Sequence, residues 1–209
     1  MHKTLLLISG QKPWRIFSRE EYEGRDLATE ISTLLGQPAT VSNLRSFKEN
    51  EARENSLSSR YGLNGFPLHT DFAALTNPPR YLLLLAPYPR ETKTLLSDSI
   101  QLVNKFGMQD LQCCSFMLAS PIPHYCRLLA GEDPNLIFRF NGDLMCPKNT
   151  IAKTVSAYIK TEMIAEATID WKINCGAIID NWRALHGREA VSVMNDTSLK
   201  RFAFHPELE

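Results

Sequence analysis

The sequence predicts a mainly-β fold with flanking helices, in which two sheets pack as a sandwich or close into a barrel. Two observations predict it. About eight short segments carry strand-like apolar patterns, and only a few longer stretches carry a helical period. Taken in order, Lys3–Ser9 is a short apolar strand. Arg25–Leu35 is a helix with Leu27, Ile31, Leu34 and Leu35 on one face and Gly36 as its stop. Pro67–Phe72 alternates like a strand, and Tyr81–Ala86 is a continuous apolar run suited to burial on both faces. Thr94–Phe106 has a helical period closed by Gly107. Gln112–Leu118, Tyr125–Leu129 and Leu136–Phe140 follow as strands. Asn149 or Thr150 caps a helix whose Ile151, Val155, Ile159 and Met163 fall on one face. Thr168–Ile173, Ala177–Trp182 and Arg201–Phe204 close the chain as strands.

The chain reads as one domain over 1–209, with 1–60 as an N-terminal helix and strand cover and 61–209 as the core. Hydrophobic residues make up 44% of 209 residues, enough for one packed core. Lys and Arg total 23, as do Asp and Glu, so no basic excess is present to release counterions from a nucleic acid. No apolar run reaches the roughly 18 residues of a membrane span, and the apolar N-terminus is too brief for a signal peptide. A cytoplasmic protein is expected, with neither nucleic acid nor membrane as partner. The five cysteines (Cys113, Cys114, Cys126, Cys146 and Cys175) show no Cys-x-x-Cys spacing and read as buried free thiols. The polar stretch Ser46–Arg60 reads as a surface connection, placed where a mobile lid would sit.

Of the five histidines, two stand in unusual local sequence. In a strand, residues i and i+2 share a face, so His69 and Asp71 present an imidazole and a carboxylate side by side. That dipeptide alone also suits a plain hydrogen-bonded pair. A second imidazole from a distant strand end would complete a 2-His-1-carboxylate triad, which leaves coordination positions of Fe(II) open. His186, in Arg183-Ala184-Leu185-His186-Gly187-Arg188, meets that requirement. His2, His124 and His205 read as terminal, structural or surface residues.

Two segments together resemble a known family. Phe66-Pro67-Leu68-His69-Thr70-Asp71, followed by Asn77-Pro78-Pro79-Arg80-Tyr81, resembles the first-ligand region of the taurine dioxygenase and clavaminate synthase superfamily. Asp180-Asn181-Trp182-Arg183-Ala184-Leu185-His186-Gly187-Arg188 resembles its distal-ligand region, with γ-butyrobetaine hydroxylase-like motifs. The resemblance spans roughly residues 35–209. It implies a double-stranded β-helix (jelly roll) and an Fe(II)- and 2-oxoglutarate-dependent dioxygenase that consumes O2. It implies metal ligation by His69, Asp71 and His186, and hydroxylation of a small molecule such as an amino acid or biosynthetic intermediate, with release of succinate and CO2. An intact Asp71 argues against a halogenase.

The resemblance also places an Arg on the far carboxylate of 2-oxoglutarate, on a strand after the distal His. Arg201 fits, with Arg188 as a rival expected to pack near the strand turn and Lys200 solvated. A Thr hydroxyl on the same carboxylate falls to Thr94, with Thr92 as a fallback, although Thr94 also suits a helix N-cap. His205 stands where several relatives carry a second Arg, which in some of them contacts substrate, and this puts an anionic substrate in doubt. Trp182 and the tyrosines Tyr61, Tyr81, Tyr88, Tyr125 and Tyr158 are candidates for aromatic walls, with core or surface packing the commoner fate. The Lys105–Lys148 segment is short for a lid, so the pocket is expected to be open or completed by a second copy in a homo-oligomer. The alternative is a non-catalytic member of the same fold that binds a metal or a partner. A zinc hydrolase or isomerase would need neither Arg201 nor Thr94.

Overall fold

A computed structural model describes residues 12–36, 38–48, 51–52, 56–118, 123–132, 135–192 and 198–205. The predicted strand Lys3–Ser9 and His2 lie outside them. Fourteen strands are present among the described residues, and every strand pairing is antiparallel.

Two sheets position the site. The larger has five strands in the order β1 (Trp14–Ser18), β12 (Asn174–Asp180), β4 (Tyr81–Leu85), β14 (Leu199–Phe204) and β2 (Thr40–Leu44). The other has four, in the order β11 (Ala167–Ile169), β5 (Thr94–Asp98), β13 (Ala184–Arg188) and β3 (Phe66–His69). They meet through one cluster, in which Leu82, Leu84, Ala177, Ile179, Leu199 and Ala203 of the larger sheet pack on Leu96, Ile169 and Ala184 of the smaller. Alternate residues of β4 and β12, Leu83 and Ile178, point the other way into a second cluster under the helix Leu27–Leu35. This is why Tyr81–Leu85 is apolar without alternation. That helix starts at Asp26, whose carboxylate accepts from the Thr29 N–H at 3.2 Å, and stops at Gly36, at φ 81°.

A third cluster backs the four-stranded sheet. It joins Leu68 and Leu185 to the three-stranded sheet of β10 (Met145–Pro147), β6 (Ser115–Leu118) and β7 (His124–Arg127), and to the helix Thr150–Thr161. The Asn149 side chain caps that helix by accepting from the Ala152 N–H at 3.0 Å. β8 (Leu129–Ala130) and β9 (Ile137–Phe138) form a separate pair.

Several predicted elements are corrected. Thr94–Phe106 is not one helix: Thr94–Asp98 is β5, held in register between β11 and β13, and the helix begins only at Ile100. Sheet pairing there outweighs a helical spacing of leucines. Gln112 and Cys113 finish a helix, Met108–Cys113, and β6 starts at Ser115. β3 ends at His69 rather than Phe72. His186 lies inside a strand rather than after one. β1 and β2 were not expected; they form the two edges of the five-stranded sheet. The cysteines are all free, but Cys113 and Cys146 are exposed, and only Cys114 and Cys126 are buried. No helix among the described residues is long and apolar enough to cross a membrane.

Candidate metal centre

His69 and His186 are direct cross-strand partners in β3 and β13. Their rings lie 4.6 Å apart between centroids. The chain is pressed together here: a Cβ on Gly187 would stand 2.8 Å from the Phe66 carbonyl oxygen, so only glycine allows the strands to approach this closely. The His69 Nδ1–H donates to the Pro67 carbonyl at 2.9 Å, which turns Nε2 toward Asp71.

Asp71 reaches the histidines from a turn, not from the strand. The i, i+2 geometry expected from the sequence therefore does not apply; the turn supplies the proximity instead. Asn181 builds that turn. Its side-chain oxygen accepts from the Asp71 N–H at 2.9 Å, and its amide donates to the Asp71 and Pro79 carbonyls at 3.0 and 2.9 Å. Between the two ligands, Thr70 is tied to Phe140: the Thr70 N–H donates to the Phe140 carbonyl, and the Phe140 N–H donates to the Thr70 hydroxyl. Phe72 follows at φ 58°, a left-handed conformation costing roughly 1–2 kcal/mol in a non-glycine residue, which these bonds hold in place.

The donor atoms of His69, Asp71 and His186 all lie within 4.8 Å of one another. Asp71 Oδ1 stands 3.8 Å from His69 Nε2 and 3.7 Å from His186 Nε2. The other oxygen, Oδ2, accepts from Arg201 at 2.5 Å. Burial opposes ionisation of Asp71, but the Arg201 guanidinium, then His186 and His69, hold its carboxyl well below the usual range. Burial, and then repulsion from His69, pushes His186 down from its ordinary value despite Asp71. An ionised Asp71 and a neutral His186 are the protonation states in which these groups bind a divalent metal. Two imidazole nitrogens and one carboxylate oxygen converging in a buried pocket fit such an ion, and the donor set suits Fe(II).

Arg201 comes from the opposite sheet. Its Nε–H donates to the hydroxyl of Ser42, its cross-strand neighbour on β2, at 3.2 Å, and its guanidinium lies over the Phe72 ring. Thr94 opens β5 as the cross-strand partner of Arg188, so it does not cap a helix. The buried Trp171 indole N–H donates to the Thr94 hydroxyl at 3.0 Å, leaving the hydroxyl proton for another acceptor. Thr92 is buried nearby. Arg188 stacks over Phe66 at 3.6 Å and donates to the Gly62 and Asn64 carbonyls. Burial and the neighbouring Arg90 push it down to about 10, so it remains a cation at neutral pH.

His69, Asp71, His186, Arg201, Thr92, Thr94 and Arg188 line one cavity of about 510 Å³. Its aromatic wall is Phe47, Phe66 and Phe72. Trp182 and the five candidate tyrosines do not line it among the described residues, and Trp182 instead donates to the Pro78 carbonyl. Ser46, Phe47, Ala52, Ser56, Leu57 and Ser58 also line it, so described residues of the polar Ser46–Arg60 stretch border the site. From Lys105–Lys148, Asn141 and Leu144 reach it. His124 and His205 are exposed and do not line it. Sequence reasoning missed Asn181 as a positioning residue, although it lies inside the distal motif, and missed Ser42 and Arg90, for which no local signal existed.

No family model and no curated protein matches the sequence. Solved structures do match in shape. Asparagine oxygenase in complex with Fe(II), 3-hydroxyasparagine and succinate superposes with a TM-score of 0.67 at 16% identity, over 83% of this chain and 62% of that one. Non-heme iron oxygenase OrfP, with Fe and α-ketoglutaric acid, gives 0.64 at 17% identity, over 99% and 79%. PvcB of Pseudomonas aeruginosa, an Fe- and α-ketoglutarate-dependent oxygenase from an isonitrile synthetic pathway, gives 0.59 at 18%, over 88% and 72%. The chain thus spans 62% of the length of the asparagine oxygenase. It shares the fold of these iron- and α-ketoglutarate-dependent oxygenases.

Proposed function

We propose that the protein is an Fe(II)- and 2-oxoglutarate-dependent dioxygenase that hydroxylates an unactivated C–H bond of an amino-acid-like small molecule, on a double-stranded β-helix (jelly-roll) scaffold. The observation that carries this reading is the convergence of His69, Asp71 and His186 with Arg201 delivered from the facing sheet. The shared fold supports it, because each of the three similar structures is described as an oxygenase.

In this reading His69, Asp71 and His186 hold the iron. Asp71 Oδ1 faces both imidazoles while Oδ2 faces Arg201, so the acid serves metal and cation through different oxygens. Arg201 and the Thr94 hydroxyl take the far carboxylate of 2-oxoglutarate. Arg201 already engages a carboxylate here, the class of group that its planar fork suits. Bound Fe(II), with 2-oxoglutarate and O2, supplies the oxidation, yielding succinate, CO2 and hydroxylated product. The chain's own residues orient and shield: Phe72, Ala73, Leu84 and Leu199 present apolar surface around the charged groups, and no side chain is required as a general acid or base.

The test is succinate release from protein loaded anaerobically with Fe(II), given 2-oxoglutarate and a panel of amino acids, then exposed to O2. Release that needs both additions, and is lost in His69→Ala and Arg201→Met, is the expected result. Tight metal binding with no succinate under any condition would replace this reading with a non-catalytic member of the fold.

A further inference from the structure

One part of the cavity wall belongs to neither facing sheet. The turn between Phe140 and Met145 supplies Asn141 and Leu144 to it. Phe140 exchanges two hydrogen bonds with Thr70, the residue between His69 and Asp71, so the turn is tied to the proposed ligand loop. The Asn141 carbonyl accepts from the Leu144 and Met145 N–H groups at 3.2 and 2.9 Å, and its own N–H donates to the Met145 sulfur at 3.3 Å. Met145 is buried in the cluster that backs the four-stranded sheet, which gives the turn a rigid base.

The Asn141 side chain is held by one of its two polar atoms. Oδ1 accepts from the Asp143 and Leu144 N–H groups at 3.0 and 3.3 Å. Two donors on that atom identify it as the oxygen, so the other atom is the NH2 group. The residue is only 8% exposed and lines the cavity, and no acceptor stands on the NH2 among the described residues. A buried amide donor is costly to leave unbonded, and the cavity is where an acceptor for it can enter.

We infer that Asn141 is a specificity-determining residue, whose NH2 donates to a carbonyl or carboxylate oxygen of the substrate. The inference rests on the oxygenase reading and deepens it. An NH2 whose oxygen is already committed offers donors and no acceptor, so it selects a substrate oxygen and disfavours an ammonium or guanidinium at that point. Arg201 and Thr94, proposed for the co-substrate, stand on the two facing sheets, whereas Asn141 stands apart from both. Its link through Phe140 and Thr70 to the ligand loop fixes the bound oxygen relative to the metal, which is what orienting one C–H bond for oxidation requires.

Asn141→Asp is the variant of choice, because it keeps an oxygen for the Asp143 and Leu144 N–H groups and exchanges only the NH2 for an acceptor. The experiment uses protein loaded with Zn(II), which is redox-silent, and saturated with 2-oxoglutarate. Calorimetry follows titration with the L-amino acids and their C-terminal amides. At least one is expected to bind wild type, and Asn141→Asp should weaken it by roughly 10- to 100-fold. Aspartate against asparagine, glutamate against glutamine, and each acid against its amide show whether the oxygen belongs to a carboxylate or a carboxamide. 2-Oxoglutarate, an anion in the same cavity, is the control: its affinity should stay within about threefold, whereas a general charge effect would weaken it as much as the amino acid. Near-ultraviolet circular dichroism checks the variant's fold. Should it not fold, the wild-type zinc protein decides, since the Asn141 side-chain NH2 resonances should shift when the bound amino acid is added. Equal binding by Asn141→Asp, an equal loss of 2-oxoglutarate, unmoved NH2 resonances, or no binding by any of these compounds would each overturn the assignment. Failure of the oxygenase reading is separately visible, because wild-type protein would then not bind 2-oxoglutarate before any amino acid is added.

Discussion

The two facing sheets do different work. The four-stranded sheet carries His69 and His186 on adjacent strands, with Thr94 and Arg188 beside them. The five-stranded sheet is larger and more completely apolar, yet it gives the cavity little polar beyond Arg201 and Asn43. One sheet holds a constellation; the other closes a core over it and extends a charge across the gap. The difference teaches that affinity for a metal and stability of the fold should be separable here by mutation.

The largest expected effect is on the four-stranded side. His186→Ala should weaken retained Fe(II) by more than about 100-fold, beyond the loss typical for a group behind a ligand, as read by metal content after dialysis. Leu83→Ala, fully buried on the outer face of the five-stranded sheet, should cost about 2–5 kcal/mol in denaturant unfolding and leave metal affinity within a few-fold. A Leu83→Ala protein that is folded yet metal-free would break the separation.

Asn181→Ala tests the junction between the sheets. It removes the bonds that shape the Asp71 turn, and metal affinity should fall about 10- to 100-fold with all three ligands present. Arg201→Met should change the acid response of the metal-free protein. Asp71 has a depressed carboxyl, so its ionisation adds stability that is present above the ordinary carboxylate range and is lost as pH falls toward its lowered value. Melting curves across that window should fall steeply with acid in wild type and less so in Arg201→Met. The smallest effect concerns the thiols. Alkylation should reach the exposed Cys113 and Cys146 first and Cys114 last, since Cys114 is buried and its thiol is pushed up to about 11.

Much of the site was legible because its residues are chemically distinctive and sit in two compact motifs. His69, Asp71 and His186 come together as expected, and Arg201 meets them. Asp71 comes beside the histidines by a different route from the one expected: a turn shaped by Asn181, not strand alternation, brings it in. Thr94 was misplaced for a related reason. Its leucine-rich neighbourhood carries a helical spacing, but pairing with β11 and β13 decides the matter, and no local signal reports a partner about 70 to 90 residues away. β2 and Ser42 were invisible because Thr40–Leu44 is a polar edge strand without an apolar face. Arg90, which lines the cavity, carried no motif at all.

One measurement bears most directly on the central claim. Anaerobic protein with one equivalent of Fe(II) is titrated with 2-oxoglutarate, and the visible absorbance of the iron–keto-acid chelate is followed. A saturable band is expected, absent in His69→Ala and shifted to higher 2-oxoglutarate concentration in Arg201→Met by roughly 10- to 100-fold. No band in wild type, or a band with the same midpoint in Arg201→Met, would contradict the assignment of these residues to iron and co-substrate.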